Sequence, residues 1–207
     1  MKFDQSTTRE LIRRIAATVI DSADELTELD RAIGDADHGA NLERGFKAVL
    51  AKIDGISAQP IDAALREVGK TLILSVGGAS GPLYGKLFAT IGQHLTEPED
   101  LTKAHVVWAC EQAIGVIKTL GRSDVGHKTM LDVLVPALDQ LRAANGAGSL
   151  RQVRERANEA AVETIPMIAQ RGRASFLCER SRGHMDPGAR SSQLIVAAVC
   201  DFLETRL

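Results

Sequence analysis

The apolar residues of this chain recur at the period of an α-helix almost from end to end, and that spacing limits what the chain can fold into. Leu42, Phe46, Val49, Leu50 and Ile53 fall on one face of a 3.6-residue helix. Ile61, Ala64, Leu65, Val68, Leu72 and Ile73 repeat the pattern behind Pro60, whose fixed φ suits a helix start. Near the N-terminus Ile12, Ile15, Ala16, Val19 and Ile20 form another such face, with Ser6, Thr7 or Thr8 as the expected cap. Further helices are expected over residues 23–33, 82–95, 106–120, 130–141, 150–169 and 191–207, with a kink at Pro136. No run of Val, Ile, Thr and aromatics alternates as a strand would. The fold class is therefore all-α, a bundle of about eight helices. With no repeat, low-complexity segment or long linker, residues 1–207 are expected to form a single helical domain.

Composition removes several functions. The 25 basic and 27 acidic side chains leave a formal net charge of −2, which gives no electrostatic reason to bind nucleic acid. Aromatics make up 3% of the chain, too few for a base-stacking platform. No stretch reaches 18 apolar residues, so no membrane span is expected, and the opening MKFDQSTTRE lacks the apolar core of a secretory signal. Cys110, Cys178 and Cys200 are scattered and form no CxxC, which fits a reducing cytoplasm and neither a disulfide frame nor a thiolate zinc site.

The loops depart further from the ordinary than the helices do. Four carry Gly with ionisable or hydroxyl residues: 34–39, 77–81, 121–129 and 171–190. Alternate loops of an up-and-down bundle lie at the same end, so these four can line one cup. In the first, Asp30, Asp35 and Asp37 lie within eight residues. In an extended segment Asp35 and Asp37 would point the same way and could both face Asp30. A carboxylate pair 4 Å apart costs on the order of 4 kcal/mol at an effective dielectric near 20, so a counter-charge is needed. All-oxygen ligands suit Mg²⁺ or Ca²⁺; a solvated acidic helix terminus is the alternative. An EF-hand is excluded, because its twelfth position is Phe46 where Glu is required.

The remaining loops carry weaker signals. Gly77-Gly78-Ala79-Ser80-Gly81 leads into a helix, where close backbone approach and free N–H groups can attract phosphate, although taken alone the segment reads more simply as a flexible loop with a helix cap. Gly121-x4-Gly126-His127-Lys128 is not a Walker loop, since His127 separates Gly from Lys and a helix precedes it; Lys128 is expected in solvent and Thr129 as a cap, with a looser phosphate or nucleotide contact as the alternative. The 17 residues from Gly172 to Gly188 show no helical stripe, and a loop of that length is usually functional or disordered. Their arginines suit phosphate or carboxylate, though each taken singly reads as solvated surface charge, whereas Cys178 has no neighbouring base and is read as a bystander. His94 and His105 are expected at the surface.

Taken together, GDADHGANLERGF, SVGGASGPLYG, GHKTMLDVLVPA and GRASFLCERSRGHMDPGA resemble, in this order and spacing, the nucleotide-binding L subunit of bacterial dihydroxyacetone kinase. The same module forms the C-terminal domain of the single-chain kinases, and the sugar-binding domain of those kinases has no counterpart here, which favours the separate-subunit type. The resemblance implies an up-and-down barrel of eight antiparallel helices with ADP or ATP bound in the loops at one end. It implies that Asp30, Asp35 and Asp37 hold two Mg²⁺ ions, with Ser80 beside them in the catalytic group. His38, Gly39, Ala40, Asn41, Ala79, Ser80, Gly121, Met130, Arg173, Asp186, Pro187 and Gly188 match nucleotide contacts. The implied partners are a dihydroxyacetone-binding kinase subunit and a phosphohistidine-carrying phosphotransferase subunit, with room left for a homodimer. ADP would stay bound as a coenzyme; use of free ATP, a ketose such as erythrulose as acceptor, and a role in regulating a transcription factor are the alternatives. Three positions depart from the family pattern: Arg182 replaces an apolar residue, Cys178 a Gly and Arg190 a Thr.

Overall fold

The computed structural model describes residues 3–95, 101–146 and 148–206. Among these the chain is all-α: α1 (Gln5–Asp21), α2 (Ala23–Ile33), α3 (His38–Ala51), α4 (Ile53–Ser57), α5 (Ile61–Ser75), α6 (Ser80–His94), α7 (Lys103–Gly121), α8 (Leu131–Ala143), α9 (Ser149–Glu163) and α10 (Pro187–Glu204). A 3₁₀ segment, Arg173–Ser181, lies within the last loop, which periodicity alone leaves without structure. Leu207, the expected end of the last helix, lies outside the described residues. No helix of the described residues is long and apolar enough to cross a membrane.

Local chemistry sets the helix ends. Asp4 rather than Ser6, Thr7 or Thr8 caps α1, its carboxylate accepting the Thr7 N–H at 2.7 Å, because the helix starts early enough to take in all three hydroxyl residues. Pro60 precedes α5 as expected. The helix α8 continues through Pro136, whose missing N–H leaves the Asp132 carbonyl without its helical donor. His105, expected at the surface, is half-buried, with Nδ1 enclosed and unpartnered among the described residues.

The helices close into a ring. α3 packs on α1 and α5, and the order continues through α6, α7, α8, α9 and α10 back to α1, with α2 between α3 and α10. Since α1 and α2 are separated only by Ser22, they form one side of the ring, which then has eight. The interior is filled by the predicted stripes: Val19, Leu26, Leu42, Phe46, Leu72, Phe88, Ile117, Leu131 and Phe202 are all buried. Phe46 and Phe88 meet edge to face with centroids 6.3 Å apart. The closest pairing, α5 with α6, depends on small residues. A Cβ on Gly69 would lie 2.4 Å from the Gly85 carbonyl, and one on Gly92 would lie 2.4 Å from the Asp62 carbonyl. These meetings also show that the two helices run antiparallel.

Candidate metal and phosphate site

With the helices alternating in direction, the loops α2–α3, α5–α6, α7–α8 and α9–α10 gather at one end, and side-chain contacts tie them to one another. The first loop begins at Asp30, on the last turn of α2. Its Oδ2 accepts the backbone N–H groups of Asp37 and His38 at 2.9 and 3.1 Å, so one carboxylate finishes α2 and anchors the start of α3. Gly34 makes this possible, since a Cβ there would lie 2.0 Å from Asp30 Oδ1. Ala36 then turns the chain at φ 59°. The Asp35–Asp37 segment is thus a tight left-handed turn rather than the extended stretch expected, yet its carboxylates still converge on Asp30. One oxygen from each of Asp30, Asp35 and Asp37 lies within 4.8 Å of the other two. Asp30 is buried, and the other two are exposed toward the cup. The cluster is not splayed into solvent, and among the described residues no lysine pairs with it; Arg173 Nε lies 2.7 Å from Asp35 Oδ2, supplying part of the counter-charge from the fourth loop. Three hard oxygen donors this close fit a divalent cation such as Mg²⁺.

The second loop is joined through α3. His38 is buried, with Nδ1 3.1 Å from Ser80 Oγ and Nε2 2.9 Å from Ser191 Oγ. Burial holds its pKa below the ordinary histidine value, against the opposing pull of Asp30 and Asp37. Asn41 is buried and accepts from Arg44, which also donates to the Ser75 carbonyl at 2.8 Å. The loop backbone passes so close that a Cβ on Gly77 would be 2.7 Å from Asn41 Oδ1. Beyond His38, whose N–H is taken by Asp30, the first N–H groups of α3 and α6 have no intrahelical acceptors, and the His38–Ser80 contact brings the two helix starts together, an arrangement that favours phosphate. Ala40 and Ala79 are exposed here, Ser80 is half-buried, and Gly39 instead faces α2, where a Cβ would lie 1.9 Å from the Ala23 carbonyl.

Lys128 joins the third loop to the fourth and overturns one expectation. It is not solvated but 1% exposed, and its ammonium donates to the carbonyls of Met167, Ser181 and His184 at 3.1, 2.6 and 2.6 Å. The left-handed backbone at Lys128 (φ 59°) directs the side chain inward under the 3₁₀ segment. Thr129 accepts from the Leu131 N–H at the start of α8, and Asp132 accepts from Gly126 and Thr129. Met130 is buried beside Gly188, whose added Cβ would lie 3.6 Å from the Met130 nitrogen. Gly121 closes α7 against Leu83 in the first turn of α6.

In the fourth loop Asp186 caps α10, its carboxylate accepting the Ala189 N–H at 2.7 Å, ahead of the buried Pro187. Burial pushes its pKa up to about 7; Asp132 and Asp30 add to the rise, while the Ala189 N–H and Lys128 oppose it. Tyr84, on α6, meets Ser191, Ser192 and the Gly188 carbonyl at 2.7, 2.8 and 3.0 Å. Burial pushes the Tyr84 pKa up to about 12, so the phenol keeps its proton. The departures from the family pattern also find their settings. Arg190 pairs with Glu25 at 2.7 and 3.1 Å, and Arg182 with Glu179 at 3.3 Å, so neither adds an unmatched charge. Cys178 is exposed and holds φ 49°, a backbone that favours the glycine it replaces.

Sequence reasoning brings Asp30, Asp35, Asp37, His38, Asn41, Ser80, Met130, Arg173, Asp186 and Gly188 toward one end of the barrel, misplaces Lys128 in solvent, and overlooks Tyr84, Thr164 and Ser191. Tyr84 carried a signal, being the single tyrosine of the chain and one helical turn beyond Ser80. Thr164 accepts the Asp186 N–H at 3.1 Å across the loop, a pairing no local spacing announces.

Comparison with known proteins agrees with this architecture. The model of the DAK2 domain matches residues 32–201. The PEP-dependent dihydroxyacetone kinase ADP-binding subunit DhaL of Escherichia coli (strain K12) is 42% identical over 171 residues, covering 80% of this chain and 81% of that subunit. The PTS-dependent dihydroxyacetone kinase ADP-binding subunit DhaL of Lactococcus lactis is 33% identical over 197 residues, covering 95% and 97%. The dihydroxyacetone kinase of C. freundii in its native form superposes with a TM-score of 0.77 at 25% identity over 97% of this chain. Its complex with AMP-PNP and Mg²⁺ gives 0.73 at 24% identity over 95% and supports the fold alone. The chain spans about a third of the length of that kinase, 35% and 34% in the two structures. On the DAK2 match and the two DhaL relatives, the chain belongs to the DAK2 domain family.

Proposed function

We propose that this chain is the ADP-binding, phosphoryl-transferring subunit of a PEP-dependent dihydroxyacetone kinase, a cytoplasmic protein whose residues 1–207 act as one nucleotide-binding domain. The observation that carries the reading is the convergence of Asp30, Asp35 and Asp37 within 4.8 Å beside the N-termini of α3 and α6. In this reading the three carboxylates would hold two Mg²⁺ ions, which would neutralise phosphate charge. The chemistry supplied there would be phosphoryl transfer from the phosphohistidine of one partner subunit, with ADP as bound coenzyme, to a hydroxyl of dihydroxyacetone held on another.

The chain's own residues do the positioning. Asp30 fixes the entry of α3 by its two N–H contacts, leaving Asp35 and Asp37 to face the phosphates. Backbone N–H groups over Ala79–Gly81 and Gly39–Ala40 offer donors in fixed directions, and Met130 with Asp186–Gly188 bounds the nucleoside side. Arg173, paired with Asp35, is free to turn its guanidinium to phosphate once cations neutralise the carboxylates. Such a site lowers the barrier by orientation and electrostatics rather than by covalent chemistry.

Native mass spectrometry of the freshly purified chain, followed by assay with the two partner subunits, tests this reading. Retained ADP, together with dihydroxyacetone phosphate formation driven by PEP, is the expected result. Turnover with free ATP and none with PEP would replace it with a kinase that exchanges its nucleotide.

A further inference from the structure

A chain of buried hydroxyl groups behind the site holds the ring of His38. Ser191 Oγ lies 3.0 Å from the Pro187 carbonyl, 3.2 Å from the Gly188 carbonyl, 2.7 Å from Tyr84 Oη and 2.9 Å from His38 Nε2. Tyr84 Oη reaches the Gly188 carbonyl and Ser192 Oγ as well. Ser191, Ser192 and Tyr84 are all buried. Hydrogen positions follow from a count of donors and acceptors. Carbonyls only accept. The shortest contacts are all served when Tyr84 donates to Ser191, Ser192 donates to Tyr84 and Ser191 donates to the Pro187 carbonyl, the Gly188 carbonyl keeping its helical N–H donor. Ser191 Oγ is then left to accept from His38 Nε2–H, and His38 Nδ1 carries the lone pair that faces Ser80 Oγ.

We infer that Ser191 and Tyr84 are positioning residues, which fix the ring and tautomer of His38 and through it lock the Ser80 end of the phosphate loop to the aspartate loop. His38 follows Asp37 directly in sequence, so its ring is the link between the metal-facing turn and the N-terminus of α6. The inference deepens the function proposed above and rests on it for the ligand. Neither Ser191 nor Tyr84 belongs to the set that faces the cup, and both act through His38.

Imidazole ¹⁵N NMR on the nucleotide-free, labelled chain tests it, with His38 assigned from the spectrum of His38→Gln. The wild-type protein is expected to show His38 protonated on Nε2 and bare on Nδ1. Ser191→Ala is expected to mix the tautomers and weaken Mg-ADP binding about tenfold, the scale of one hydrogen bond, and Ser191→Thr to restore both. Tyr84→Phe, with ring packing retained, is expected to shift the His38 signals in the same direction. A wild-type His38 protonated on Nδ1, or a tautomer unmoved in Ser191→Ala and Tyr84→Phe, overturns the inference. Absence of Mg-ADP binding by the wild-type chain would instead sink the reading of the site, leaving the spectroscopic result to stand or fall on its own.

Discussion

At position 34 a single methyl group would lie 2.0 Å from Asp30 Oδ1 and 2.8 Å from its Cγ, so the orientation of the buried aspartate depends on the absence of a side chain four residues away. The sequence shows that glycine plainly, but not its reason, which exists only once α2 ends and turns back. Asp186 makes the same point for charge. Its ordinary pKa of 3.8 is raised to about 7, chiefly by burial. Between those values the folded chain keeps a proton that the unfolded chain releases, so this group's contribution to stability is full below about pH 4 and falls as pH rises to about 7. Urea unfolding of the nucleotide-free protein across that range is expected to show a decline in wild type that is reduced in Asp186→Asn. Identical pH profiles would contradict the burial argument.

At the scale of elements, the barrel depends on two kinds of close contact. The first is helix against helix. Gly69→Ala would drive a methyl into the Gly85 carbonyl and the Ala89 backbone, 2.4 and 2.6 Å away. Overpacking of this kind costs about 1–3 kcal/mol, to be read as a lower urea midpoint. The second is loop against loop. Lys128→Met keeps the length and apolar stem but leaves three carbonyls without a donor, with an expected loss of about 2–3 kcal/mol. Because those carbonyls shape the segment that carries Arg173, ADP affinity is expected to fall with stability in Lys128→Met, whereas Gly69→Ala changes stability with little effect on affinity. The helices were legible because their apolar stripes are local. The 3₁₀ segment and the burial of Lys128 were not, since both depend on partners 39 to 56 residues away.

For the whole molecule, alternation of direction turns four sequence-distant loops into one cup, which is why the loop residues could be grouped before any geometry was known. What periodicity could not supply is the wiring between loops: His38 to Ser80, Arg173 to Asp35, Thr164 to Asp186. The central claim is that the cup exists to hold a nucleotide diphosphate through divalent cations on three aspartates. Calorimetric titration of ADP into the nucleotide-free chain, in Mg²⁺ and again in EDTA, tests it most directly. The account predicts that Mg²⁺ tightens binding by more than about tenfold in wild type and not in Asp35→Asn or Asp37→Asn. Equal affinity in Mg²⁺ and EDTA, or variants that bind as wild type does, would contradict it.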